Sequence, residues 1–263
     1  MTRTMRHLCA AATLVALLLL TRIAVAADEI RVMTSGAFTA AYLELAQEFQ
    51  GATGHRVVTE ATSMGTGPTG IVARLERGEA IDVVIVAAAD LERLISAGRI
   101  QAATRVDLAQ SAIGMAVRRG ALKPDISSVD ALKRTLLAAK SIAYSASVSG
   151  TYLSTELFQR LGISDQVLPK SRRIEGGERV GAVVARGDAE IGFQQISELL
   201  PVDGIDFVGP LPAEVQRVTI FSVGVGAAST HPATAKSFIE FLASPAAVGA
   251  IRNTSLEPVA VEH

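Results

Sequence analysis

The sequence predicts an α/β protein of two lobes, each a mixed sheet flanked by helices, with two crossover strands joining them. Its 263 residues exceed what a single core usually serves. Short aliphatic runs alternate with amphipathic segments in two successive series, the pattern of sheets wrapped by helices. The last third then offers a long β-like run and one helix, too little to close a core alone. Those elements fit back onto the first series. Residues 27–111 plus 219–263 are therefore expected to form lobe 1, and residues 112–218 lobe 2.

In the first series, Ile30 to Thr34 reads as a strand. Phe38, Tyr42, Leu45 and Phe49 then mark one face of a helix that Gly51 and Gly54 should end. Val57 to Ala61 is the second strand, and Pro68 suits the first turn of a helix carrying Ile71, Val72 and Leu75. Asp82 to Ala87 is nearly all aliphatic, as a strand covered on both faces should be. A helix from Asp90 to Ala97 completes the series.

The second series opens with the crossover strand Ala112 to Val117. Ser128 should cap a helix bearing Leu132, Leu136 and Leu137. Strands Ser141 to Ser145, Arg172 to Ile174 and Glu190 to Phe193 alternate with helices built on Leu153, Leu157 and Leu161 and on Val180, Val183 and Val184. Val215 to Val225 reads as one long strand, whose part from Ile220 crosses back. The helix His231 to Leu242 turns Phe238, Ile239 and Leu242 inward.

Residues 1–26 read as a signal peptide. Arg3, Arg6 and His7 precede the apolar run Leu8 to Leu20, and Ala24-Val25-Ala26 offers small residues for cleavage. The run is shorter than the roughly 20 residues needed to span a bilayer. Export to the periplasm is expected. Cleavage would remove Arg3, Arg6, Arg22 and Cys9, leaving a mildly acidic chain without cysteine, hence without disulfides or thiolate chemistry. With 25 basic against 26 acidic residues and no Trp, the composition argues against a nucleic-acid partner.

Ligands of open α/β sheets settle beyond the carboxyl ends of strands. Five such turns here are rich in hydroxyls, glycines or amides. They hold Ser35 and Gly36; Ser63, Met64 and Thr66; Ser149 and Gly150; Arg179 and Val180; and Gln194 beside Gln195. Each turn alone reads as ordinary helix capping. Together they frame a cleft for a small anion, held by hydroxyls and by amides at helix N-termini. His55, His231 and His263 fall in separate loops or the terminus, so no metal site is expected. No dinucleotide or phosphate-loop fingerprint and no G-x-S-x-G elbow occurs, so no cofactor is expected either. Catalytic residues are not evident. Glu60 reads as a solvent-facing strand residue and Asp82 as a structural hydrogen-bonding group.

Beyond these patterns, Val32 to Phe38, the stretch Ala73 to Ile85 and the discontinuous lobes resemble type II periplasmic solute-binding proteins, above all the molybdate-binding branch of ABC importers. That resemblance implies a monomer that hands an oxyanion to an ABC permease. By position, the family's first-turn serine falls on Ala37 with Ser35 nearby, its second-turn serine near Thr66 to Thr69, its third-turn alanine on Ser149, its valine on Val180 and its tyrosine on Gln194. Ala37 and Gln194 depart from the molybdate pattern and point to a larger organic anion. Blocks at Ser63 to Gly65, Val106 to Ser111, Lys123 to Ser127, Val180 to Gly187 and Gly192 to Gln195 are similar to the bacterial aconitate isomerases. Membership there would imply allylic proton transfer between cis- and trans-aconitate, or, without catalysis, simple anion binding for import. Glu60, Glu178 and Tyr152 would be the candidate bases and Arg179 the cation for a carboxylate.

Overall fold

The computed structural model describes residues 27–61 and 68–259. The segment read as a signal peptide and the turn holding Ser63, Met64 and Thr66 lie outside them. The first sheet contains β1 (Glu29–Thr34), β2 (Arg56–Ala61), β3 (Val83–Ala87), β4 (Val106–Ser111), β10 (Thr219–Val225) and β11 (Glu257–Pro258) in the order β11-β4-β10-β3-β1-β2. The second contains β5 (Ile113–Arg118), β6 (Ile142–Ser145), β7 (Ser171–Ile174), β8 (Ile191–Gln195) and β9 (Ile205–Pro210) in the order β7-β6-β8-β5-β9. Both sheets are mixed. β1 pairs in parallel with β2 and β3, while β10 runs antiparallel to β3 and β4. In the second sheet β6 is parallel to β7 and β8, and β5 is antiparallel to β8 and β9.

Strand alternation places the cores. Along β3, Val83 and Ile85 face a cluster with Phe38, Tyr42, Phe49 and Phe238, whereas Val84 and Val86 face the opposite cluster with Ile71, Leu75, Leu91 and Leu94. The strand is buried on both faces, which accounts for its unbroken aliphatic sequence. In the second sheet Ile113, Met115 and Val117 of β5 join Phe158 and Phe193 on one face, and Ala116 meets Val180, Val183 and Val184 on the other.

Several boundaries differ from the sequence expectations. The helix Thr39–Thr53 runs through Gly51 and stops only at Gly54, whose left-handed backbone closes it. Pro68 lies in the turn before the helix Ile71–Glu76 rather than in its first turn. Leu137 is exposed. The stretch from Val215 is not one strand, because Ala213–Val215 is a short 3-10 turn and β10 starts at Thr219.

The chain passes from the first sheet to the second between β4 and β5, which only Ala112 separates, and returns through residues 211–218 into β10. Two glutamines tie these passages together. Gln216 accepts from the Ile113 amide and donates to its carbonyl, both at 2.9 Å. With its nitrogen toward the Ser111 and Ala112 carbonyls, 3.2 Å each, the Gln195 amide accepts from Thr219 Oγ1 at 2.8 Å. The Ile196 amide donates to the Ala112 carbonyl at 3.0 Å, so the helix Ile196–Leu199 hangs from the same junction.

Candidate functional site

The carboxyl ends of β1, β3, β6, β7 and β8 converge on a cavity of about 130 Å³ between the two sheets. The first sheet supplies Ser35, Gly36, Ala37, Thr39, Ala87 and Asp90, with Thr219 and Phe221 of β10. The second supplies Ser145 to Val148, Ile174, Gly176 to Arg179, Gln194, Gln195 and Glu198. The helix Ile196–Leu199 packs against the turn Gly36–Phe38, so the two halves touch beside the cavity.

Ser35 leaves β1 and is fixed by its backbone. Its amide donates to the Ile85 carbonyl at 2.7 Å, and its own carbonyl accepts from Phe38 N and Thr39 Oγ1 at 3.2 and 3.1 Å. Ser35 is only 6% exposed, yet its Oγ has no hydrogen-bond partner among the described residues. A buried hydroxyl left unpaired costs about 1–3 kcal/mol. At the head of the turn Gly36–Phe38 and on the cavity wall, it is placed to donate to an acceptor in the cavity.

Across the cavity, Ser145, Ser147 and Ser149 form a triangle of hydroxyls, with Oγ–Oγ distances of 2.7, 3.0 and 3.3 Å. Gly150 makes this geometry possible. A Cβ there would sit 1.7 Å from the Ser145 carbonyl oxygen, so no other residue lets the helix Val148–Tyr152 close onto the end of β6. The loop after β7 turns into the cavity through Gly176 and Gly177, both left-handed at φ 68° and 82°.

Gln194 Oε1 accepts from the Val180 amide at 3.0 Å, fixing the side chain as the end of β8 meets the helix Val180–Ala185. Gln194 lines the cavity wall together with Glu198, toward which Arg179 contributes its charge. Desolvation of the half-buried Glu198 carboxyl dominates and pushes it up to about 7, while its polar neighbours Gln194 and Arg179 pull it back only in part. A group with such a pKa both takes up and releases a proton near neutrality. Asp90, buried at the wall, is engaged by Arg93.

Of the sequence-predicted residues, Ser35, Gly36, Arg179 and Gln194 reach the cavity wall. Ser149, Gly150 and Val180 stand one layer behind it: Ser149 is fully buried and bonds the two lining serines, Gly150 gives steric room, and the Val180 amide is taken by Gln194. The three residues considered as bases do not fit that role. Glu60 pairs with Arg31 at 2.7 Å and Arg74 at 3.0 Å, which hold it below the usual carboxylate range, and it does not line the cavity. Tyr152 donates its hydroxyl to the Val215 carbonyl at 2.8 Å, away from the cavity. Glu178 does line it, but pairs with Arg186 at 2.7 Å on an exposed rim. Glu198 escaped the sequence reading because an acid in a helix's first turn ordinarily complements the dipole. Its position three residues after Gln195, at a strand's carboxyl end, was the available signal.

Comparison with known proteins gives four results. The sequence profile of bacterial extracellular solute-binding proteins matches residues 30–254. The chain is 45% identical over 229 residues to an aconitate isomerase from a Pseudomonas species, covering 87% of each chain. It is 27% identical over 177 residues to the molybdate-binding protein of Azotobacter vinelandii, covering 66% of this chain and 67% of that one. The solved structure of the Azotobacter vinelandii periplasmic molybdate-binding protein has a TM-score of 0.70 at 20% identity, over 89% of this chain and all of that one. At that identity the structural likeness shows the fold alone.

Proposed function

The chain belongs to the bacterial extracellular solute-binding proteins, and from that premise we propose that it grips a small polycarboxylate between its lobes and interconverts cis- and trans-aconitate. In this reading residues 27–111 with 219–263 form one jaw and residues 112–218 the other. Residues 1–26 direct the monomeric chain to the periplasm and are removed there.

The observation that carries the reading is the unpartnered Ser35 hydroxyl on the wall of a cavity that also presents serine and threonine hydroxyls, the amides of Gln194 and Gln195, one arginine and the carboxyls of Asp90, Glu178 and Glu198. A carboxylate is the acceptor that such donors suit. Size agrees as well. About 130 Å³ equals the liquid volume of roughly four waters, comparable to a ligand of six carbons and six oxygens and more than a tetrahedral oxyanion needs. The 45% identity to an aconitate isomerase adds the reaction. Moving the double bond requires one allylic proton to leave and another to arrive, while the negative charge spreads into the adjoining carboxylates. Donors already fixed around the cavity lower the cost of that charge without moving.

The test is direct. Purified protein is incubated with cis-aconitate and, separately, with trans-aconitate, and both isomers are followed by chromatography. The expected result is approach to one common ratio from either side. Binding without conversion at any pH between about 5 and 9 would contradict the enzymatic reading and leave a receptor for an importer.

A further inference from the structure

We propose that Glu198 is the catalytic residue that carries the proton between the two allylic carbons of aconitate. The assignment rests on the functional reading above and goes beyond it by naming the group that does the chemistry. Glu198 lines the cavity from the second lobe, on the helix Ile196–Leu199, which packs against the Ser35 side at the turn Gly36–Phe38. Gln194, on β8, lines the same wall and is anchored on the Val180 amide. The other acids at the wall are occupied. Asp90 is engaged by Arg93, and Glu178 by Arg186. Arg179 is the cation lining the cavity among the described residues, and it sits close enough to Glu198 to act on its charge.

The step balances within this constellation. The Glu198 carboxylate takes a proton from the methylene carbon, breaking that C–H bond. Its electron pair forms the new double bond to the central carbon, and the old double bond's pair moves to the far carbon and its carboxylate. The same proton then returns from Glu198 to the far carbon, forming a C–H bond there. Nothing is oxidised or reduced. Both reacting carbons flank one central carbon, so a single carboxyl on one face of the ligand serves both. Whether the product is cis or trans depends on how the ligand's arms are held during the transfer. Burial serves this role by lifting the carboxyl toward neutrality, where a base is effective yet readily gives the proton back.

The experiment compares wild-type protein with Glu198→Gln and Glu198→Asp. Glu198→Gln is expected to lower kcat at least about 100-fold, while trans-aconitate still raises its melting midpoint; Glu198→Asp should keep a measurable fraction of the rate. Wild-type kcat/KM should rise with pH along a limb centred at about 7 and then level. Asp90, Glu178 and Arg179 face the same cavity, so the limb is assigned by its loss of slope in the Gln variant's residual rate. An active wild type beside a Gln variant that keeps more than a tenth of the rate overturns the assignment alone. If the Gln variant fails to bind, a wild-type profile flat from pH 5 to 9 overturns it. A wild type silent toward both isomers overturns the functional reading and this assignment together.

Discussion

Ser35 and Glu198 both trade stability for a ligand, which their variants should expose. Ser35→Ala removes a buried hydroxyl that nothing among the described residues satisfies. Its melting midpoint without ligand should equal or exceed that of the wild type, while aconitate binding weakens about tenfold or more. A lower midpoint with unchanged affinity would mean the hydroxyl serves the fold. Glu198 titrates at about 7 in the folded chain, above its unfolded value, so the folded state holds the extra proton between those values. Stability therefore falls as pH rises through that window. Glu198→Gln should match the wild type in denaturant titrations at pH 4 and exceed it at pH 8, by ~3 kcal/mol at most. Glu60 has the opposite sign. Arg31 and Arg74 depress its pKa, so its contribution is present at neutral pH and is lost as pH falls through the folded value, below the usual carboxylate range. Glu60→Gln should cost about 1–2 kcal/mol at pH 7 and progressively less in acid. At this scale the sequence disclosed the hydroxyls and Gln194, because serine and glutamine at strand ends are visible as residue types. It did not disclose Glu198, whose character comes from the desolvation that the surrounding fold imposes.

Among elements, Asp82 shows how a loop and a helix are held to the sheet. It is almost fully buried just before β3, and Oδ2 accepts from the Arg31 amide at 2.8 Å. Oδ1 accepts from Ser229 Oγ at 2.6 Å and from the amides of Thr230 and His231 at 3.1 Å each. One carboxylate thus fixes β1 against β3 and heads the helix Pro232–Leu242. Asp82→Ala should lose about 3 kcal/mol or more, read from chemical unfolding, because one buried carboxylate holds four donors from two segments that lose it together. A loss below about 1 kcal/mol would contradict that role. Most elements were legible from periodicity, including the helix Thr39–Thr53 and the fully covered β3. β4 and β9 were not. β4 spaces Asp107 and Gln110 among its apolar residues, and β9 ends in Gly209 and Pro210, so neither carries a clear two-residue period. Their strand identity comes from their partners β10 and β5. The π-helical turn Leu153–Leu157 was equally hidden, since Ser154 Oγ and Thr155 Oγ1 bond back to the carbonyls of Gly150 and Thr151 and loosen the helix there.

For the whole molecule, the two-sheet plan and the return of the chain to the first sheet were readable because a strand and helix alone cannot bury their apolar faces. The clamp between the passages was not, since it depends on two glutamines meeting segments far along the chain. Gln216→Ala should speed amide exchange at residues near Ile113 and Gln216 while leaving both sheets protected, a change that hydrogen-exchange mass spectrometry resolves. Unchanged exchange there would mean other contacts hold the junction. The helix bearing Glu198 hangs from that junction through the Ile196 amide and packs against the turn Gly36–Phe38 that follows Ser35. The most direct measurement is a crystal structure of Glu198→Gln grown with cis-aconitate. The ligand should lie between the sheets with one carboxylate within hydrogen-bond reach of Ser35 Oγ and its methylene carbon beside the side-chain amide that replaces the Glu198 carboxyl; density for aconitate anywhere else, with that hollow filled only by water, would contradict it.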